Sequence, residues 1–289
     1  MLAHIKEVVK YANKHKCAIG AFNTSNLETT LGIVRAAVKM KMPVIVQISE
    51  ATIKYAGLKT IANIVEVIAK DEANNVPIAL HLDHGRSFQS IVACIHAGFT
   101  SVHMDASNLP FDENIALTAQ AAKYAHKHGV WAQGELGAMI GKEGMTVLDV
   151  PKDPEEYMTN PRQVRQFVEK TGIDTLAVSV GTMHGLFKGL EKIDFKRLTE
   201  ISKKVKTPLV LHGASGIGDT PIRRSIKLGV RIINIDTELR QAFTETLRQT
   251  IKATEGSTTF DPRKILAPSI DAVQKVVEHK IKVFGLLKK

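Results

Sequence analysis

Eight short apolar runs, each rich in β-branched residues, recur along the chain, and this rhythm constrains the fold more than any other feature. They are AIGAF (18–22), VIVQIS (44–49), IALHLD (78–83), SVHMDA (101–106), VWAQGEL (130–136), TLAVSVG (175–181), LVLHG (209–213) and IINIDT (232–237). Between most of them lie segments such as LETTLGIVRAAVKMK and TIANIVEVIAKDE, with apolar residues at the i, i+3, i+4, i+7 spacing of an amphipathic helix. A strand that is apolar on both faces belongs in a parallel sheet covered by helices. Eight strand–helix units predict an α/β chain closed into a (β/α)8 TIM barrel, with an open doubly wound sheet as the rival. A length of 289 residues suits one such domain spanning 1–289, and no linker divides it. The longest stretch without a clear pattern, 137–161, is punctuated by Gly and Pro and far exceeds an ordinary βα loop, which points to a working loop.

A strand entering a core normally avoids ionisable groups, because burying them unpaired costs several kcal/mol. Here the strands end in them. The second ends at Ser49, the third at Asp83-His84-Gly85, the fourth at Asp105 and the fifth at Glu135. The sixth leads to His184, the seventh closes on His212-Gly213, and the eighth carries Asn234, Asp236 and Thr237. Active sites of such barrels lie at the carboxyl ends of the strands, so these residues converge on one rim. His84, His184 and His212 come from three different strands, and each precedes a glycine. Three imidazoles with an open fourth position is the donor set of a catalytic zinc. For any one of them alone, a hydrogen-bonded core histidine is the ordinary alternative. His81 lies inside its strand and reads as structural or as support for the site, His103 is left open, and the remaining histidines fall on helical patterns.

Two glycine-containing stretches, HGASGIGDT after the seventh strand and NIDTELR after the eighth, place small residues and backbone N–H groups near helix starts. Such positions receive phosphate in barrels. The net charge of +10 arises from lysines scattered among acids, with no dense basic block and no aromatic ladder, so no nucleic-acid partner is expected. A positive field could equally steer a phosphorylated substrate. No apolar run reaches membrane-spanning length, no signal-peptide core opens the chain, and Cys17 and Cys94 are too few for a disulfide framework. A cytoplasmic protein without a membrane partner is the expectation.

With GAFNTSNLET, HLDHG, HAGFTSVHMDASNLPFDENI, GELG, GIDTLAVSVGTMHG, PLVLHGASGI, LGVRIINIDTELR and FDPRKILAP in view, the sequence resembles, nearly end to end, the class II zinc-dependent fructose-1,6-bisphosphate aldolases. Tagatose-bisphosphate aldolases belong to the same family. The resemblance implies a zinc held by His84, His184 and His212, and a second, buried metal position served by Asp105 and Glu135. It makes Asp83 the acid/base for the aldehyde-derived hydroxyl and Glu143 the carboxylate that removes the proton from the ketose carbon. Gly185, Gly213, Ala214, Ser215, Asn234, Ile235, Asp236 and Thr237 align with the pocket for dihydroxyacetone phosphate, Lys188 fits a phosphate-side loop lysine, and Ser49 is a further substrate-binding position. Arg240 matches the arginine for the distal phosphate, and Arg263 one lent by a neighbouring subunit. A monovalent cation (Na+ or K+) and a homodimer or homotetramer are further implications. The implied reaction is reversible cleavage of fructose 1,6-bisphosphate to dihydroxyacetone phosphate and glyceraldehyde 3-phosphate. Asp236 favours that sugar over the tagatose alternative, whereas HGASG leans the other way. The loop after GELG departs from the family pattern, with Ile140 and Gly144 where a glycine and an acid are usual, while Glu143 is retained.

Two other readings stay open on the residues alone. A zinc hydrolase of the amidohydrolase kind would begin with His-x-His at the end of its first strand, where this chain has GAFN. A non-catalytic sugar-phosphate binder would need neither Asp83 nor Glu143.

Overall fold

The computed structural model describes residues 2–73, 75–138, 141–146, 153, 157–186, 193–256 and 260–287, and for 141–146, His184 and Leu186 it describes the main chain alone. Its centre is a closed, all-parallel eight-stranded barrel. Around the barrel run β1 (Ile19–Asn23), β2 (Val44–Ser49), β3 (Ile78–Gly85), β4 (Ser101–Met104) and β5 (Trp131–Leu136), followed by β7 (Thr175–Val178), β9 (Leu209–Leu211) and β10 (Val230–Ile235). Closure comes from β10 pairing with β1, in the register Ile19↔Ile232 to Phe22↔Ile235. Each barrel strand coincides with one of the eight apolar runs, although the last residues of several runs lie just past the strand end, where they face the mouth.

A helix follows most strands: α2 (Leu27–Met40), α3 (Glu50–Ala56) with α4 (Leu58–Glu72), α5 (Phe88–His96), α6 (Phe111–Lys127), α7 (Val164–Thr171), α8 (Phe195–Ser202), α9 (Asp219–Lys227) and α10 (Thr237–Ala253). The apolar stripes of these helices meet the outward-facing strand residues in one continuous buried layer that includes Phe22, Val46, Leu80, Phe167 and Leu211. The long α11 (Pro262–Phe284) returns to lie against α2 and α10. Gly32 permits that approach, since a Cβ there would stand 2.8 Å from Val273.

The barrel interior is built differently. At its amino-terminal end α1 (Ile5–His15) presents Ile5, Val8, Val9 and Ala12, the i, i+3, i+4, i+7 stripe, to Ile19, Ala21, Ile45, Ala79, Ala177, Val210 and Ile232 from six strands. Each fully buried Ile or Val side chain of this plug contributes about 1.5–3 kcal/mol. His4 caps α1, its Nδ1 accepting the N–H of Lys6 at 3.0 Å.

One feature was not legible locally. Within the stretch that reads as an irregular loop, the main chain of β6 (Gly141–Thr146) pairs in parallel with β8 (His184–Leu186), forming a separate two-stranded sheet. GKEGMT shows no strand alternation, and its partner lies some forty residues downstream, so the pairing leaves no local signature.

Candidate active site

Side chains alternate along a strand, so Asp83 and His84 could not both face the barrel interior if β3 were regular. It is not. The pairing of β3 with β4 runs Leu82↔Val102 and then Gly85↔Met104, three steps against two, which is a β-bulge. His84 occupies the extra step with φ +47°, a left-handed conformation uncommon for a non-glycine residue. A bulge re-aims side chains in this way, and here it turns an acid and an imidazole to the same side.

The imidazole of His84 meets three carboxylates and a second ring. Its Nδ1 lies 2.8 Å from Asp105 Oδ2 and 3.8 Å from Glu135 Oε2, and its Nε2 lies 3.9 Å from Asp83 Oδ1. Nε2 also lies 3.0 Å from Nδ1 of His212. Asp105 is fixed in turn by Ser107, whose hydroxyl donates to Oδ1 at 2.7 Å. Asp83 is fully buried; its Oδ2 accepts from the Asn23 amide at 2.8 Å, and Gln47 donates to Asn23 Oδ1. The other oxygen, Oδ1, has no hydrogen-bond donor among the described residues.

These neighbours set the protonation chemistry. Burial works against charge on His84, but Asp83, Asp105 and Glu135 outweigh it and hold the ring up to about 10. Burial would raise Asp105 as well, yet its bond to His84, the charge of that ring and the Ser107 hydroxyl keep it well below the ordinary carboxylate range. Asp83 is pushed up, chiefly by burial, with Asp236 and Asp105 adding to the effect. The cluster is an anionic cage that calls for a cation at its centre.

The donor set fits a metal ion. Ligand atoms of Asp83, His84, His103 and His212 lie within 4.8 Å of one another, and so do those of His84, His103, Asp105 and Glu135. When a cation takes the place of the second proton of His84, the remaining proton stays on Nδ1 toward Asp105 and the Nε2 lone pair faces His212; a carboxylate behind a ligating imidazole is the usual support of such sites. Nε2 of His212 lies 3.2 Å from the amides of both Asn234 and Gln133. Half-turns of the Asn234 and Gln133 amides would give that nitrogen oxygens to donate to, and Nδ1 of His212 would then be a lone pair facing His84.

Beside this cluster a pocket is lined by Asn23, Gly185, His212, Gly213, Ser215, Asn234, Asp236 and Thr237. Gly213 has φ +62°, and a Cβ there would collide with the carbonyl oxygen of Met183. That contact brings the main chain entering β8, and so His184, against the His212-Gly213 turn. Thr237 begins the 17-residue α10, whose N-terminal dipole and amides face the pocket side where an anion is favoured. Arg240, one turn later, bonds Asp236 through Nε at 2.7 and 2.8 Å. Glu238 accepts from Gly216 N–H and from the buried Lys280.

The structure therefore brings together Asp83, His84, Asp105, Glu135 and His212, with Gly185, Gly213, Ser215, Asn234, Asp236 and Thr237 alongside. Ser49 is buried at the end of β2, where its hydroxyl caps α3. Ala214 is buried beneath the loop, and the Ile235 side chain points into the layer under the helices, so only their main chain is offered to a ligand. Arg263 is exposed at the start of α11 and paired with Asp261 at 2.9 Å. For Glu143 and His184 the main chain alone is described, on the paired β6 and β8, and Lys188 lies outside the described residues. Asn23, Gln47, Gln133 and His103 also join the site. Asn23 ends its strand as the other site residues do, and His103 sits two residues before Asp105, so strand position was the available signal for both.

The comparisons with known proteins agree with this geometry. The family model for fructose-bisphosphate aldolase class-II matches residues 3–289. The fructose-bisphosphate aldolase of Geobacillus stearothermophilus is 41% identical over 285 residues, covering 98% of this chain and 97% of the relative. That of Thermus caldophilus is 39% identical over 308 residues, covering 99% and 98%. Among solved structures, the YdjI aldolase of Escherichia coli K12 superposes with a TM-score of 0.84 at 33% identity, covering 99% of this chain and 98% of that one. With its barrel mouth, its histidine–carboxylate cage and this full-length match, the chain belongs to the class-II fructose-bisphosphate aldolase family.

Proposed function

We propose that this chain is a metal-dependent lyase that reversibly cleaves fructose 1,6-bisphosphate into dihydroxyacetone phosphate and glyceraldehyde 3-phosphate. The observation that carries the reading is the 3.0 Å approach of His84 Nε2 to His212 Nδ1 inside a ring of carboxylates, with Asp83 Oδ1 facing the same point. His84, His212 and His184 would hold zinc, and Asp105 and Glu135 would support it or form a second, deeper position. Bound zinc supplies a Lewis acid that draws electron density from the substrate carbonyl and eases loss of the neighbouring C–H proton.

The chain's own groups do the rest. Glu143 takes that proton as general base, from a strand whose main chain is paired to the one bearing His184. Asp83, held by Asn23, gives a proton to the aldehyde oxygen as the C–C bond forms and takes it back in cleavage. The pocket between Gly213, Ser215 and the start of α10 receives one phosphate, with Ser49, Lys188 and a monovalent cation completing its surroundings. Arg240 swings from Asp236 to the distal phosphate, and Arg263 of a second copy in a homodimer or homotetramer reaches the same end. Fixing both ends of the sugar aligns the reacting carbons. Among the described residues no helix is long and apolar enough to cross a membrane. Cys17 and Cys94 are free thiols, which suits a reducing compartment and supports the cytoplasm as the proposed location.

A coupled assay on purified protein tests this directly. Triose phosphates should form from fructose 1,6-bisphosphate, cease after chelation and return with added zinc or cobalt. Cleavage indifferent to chelation would refute the metal role, and faster turnover of tagatose 1,6-bisphosphate would reassign the substrate.

A further inference from the structure

His103 stands inside the cluster of ligand-capable side chains, yet its hydrogen bonding gives it a different task. The bulge that turns His84 inward takes the N–H of His84 out of the β3–β4 ladder. That N–H donates to Nδ1 of His103 at 3.3 Å. The ring is completely buried, so no water competes for the bond. A nitrogen that accepts a hydrogen bond bears no proton, so the proton of neutral His103 lies on Nε2, 3.5 Å from Glu135 Oε2. A protonated nitrogen cannot ligate a metal. Shifting the proton to Nδ1 to free Nε2 would set two donors, N–H against N–H, facing each other in a dry site.

We infer that His103 is a positioning residue rather than a metal ligand: it holds the main chain of His84 in the left-handed conformation that aims Nε2 of His84 at His212, and its own Nε2–H faces Glu135. The inference rests on the metal-site reading above and deepens it. Without the His103 acceptor, the His84 backbone is free to relax toward an ordinary strand, and the imidazole swings away from the shared point.

Isosteric substitution separates the two ends of the ring. In His103→Asn the amide oxygen falls where Nδ1 stood, which preserves the acceptor for His84 and discards the contact with Glu135. In His103→Gln the amide head falls near Nε2 and the acceptor is lost. His103→Leu removes both. The readout is cobalt binding to the full-length protein, with affinity from chelator competition and ligand field from visible absorption. Helical circular dichroism serves as the folding control.

Supporting changes at a metal site cost about 10–100-fold in affinity, so His103→Leu and His103→Gln should weaken cobalt binding by that factor. His103→Asn should bind within about threefold of wild type with an unchanged spectrum. Wild-type affinity in His103→Leu would overturn the inference, as would a spectrum showing one nitrogen fewer in His103→Asn. Should His103→Leu not fold, the Asn and Gln variants still decide, because equal affinities for the two would overturn it. A wild-type chain that binds no cobalt would instead overturn the metal site itself, a failure visible before any variant is made.

Discussion

The two ends of the barrel interior are built from the same strands and obey opposite rules. At the amino-terminal end, Ala79 of β3, Val210 of β9 and Ile232 of β10 pack beneath α1 with no ionisable group among them. Farther along the same strands, His81 and Asp83, then His212, then Asn234 point inward. Two residues of strand span roughly 6.6 Å, so a fully apolar plug and a charged cage lie one layer apart. The plug gains by excluding water and has no need of exact partners. The cage depends on specific partners, His84 meeting Asp105, and Asp83 the amide of Asn23. Stability and chemistry are thereby separable along each strand, and substitutions at the two ends should fail in different ways.

The largest effect should come from the mouth. His84→Ala removes the ring on which Asp83, Asp105 and His212 converge, and cleavage should fall by at least roughly a thousandfold. Its thermal midpoint should hold within a few degrees, since the plug is untouched. Unfolding together with loss of activity would show that the cage also holds the barrel closed. Next, Asp83→Asn keeps the shape and the contact with Asn23 but cannot carry the proton. Steady-state assay should show kcat reduced by about 10²–10⁴-fold. Metal content by elemental analysis should stay at the wild-type level; loss of metal would make Asp83 a ligand rather than an acid/base.

The plug should respond in reverse. Ile5→Ala empties part of the α1 interface, where Ile5 is 1% exposed, and should cost about 2–4 kcal/mol in chemical denaturation with kcat unchanged. A matching fall in kcat would mean that the two ends are mechanically coupled and that the layered description is wrong.

How much of this contrast the sequence displayed follows from the range of each interaction. The barrel was legible because each of its strands is a local apolar run and most intervening helices carry their own period, and the rim because strand ends are countable. The β3 bulge was not, since nothing in HLDHG says which residue turns left-handed until β4 supplies the register. The pairing of β6 with β8 was hidden for the same reason, its partner being remote in the chain. The task of His103 is not encoded locally, because one histidine in an apolar strand has the same pattern whether it packs, ligates or accepts a backbone N–H. The orientation of Arg240 toward Asp236 is likewise a matter of packing around α10, which the residue types alone do not encode.

The finest test falls between the two layers, at His81. It follows Ala79 of the plug and precedes Asp83 of the cage, it is buried, and its Nδ1 meets the Ser101 hydroxyl at 2.9 Å. Burial, reinforced by the charge of His84, drives it down from 6.5 to about 3. The folded chain thus leaves this ring neutral where the unfolded chain protonates it. Between about pH 6.5 and 3 the unfolded state binds the extra proton, so this group makes stability fall as pH falls, by up to about 1.4 kcal/mol per pH unit. His81→Asn keeps a polar partner for Ser101 and has no proton to take up. Urea denaturation of both proteins from pH 7 to 4.5 should give a wild-type stability curve steeper by about 1 kcal/mol per unit than that of the variant. His84, raised by its carboxylates, contributes with the opposite sign at higher pH, but both proteins contain it and the difference cancels it. Parallel curves would mean that His81 is charged or hydrated in the native state, and the cage would then extend a full layer deeper than its neighbours on β3 imply.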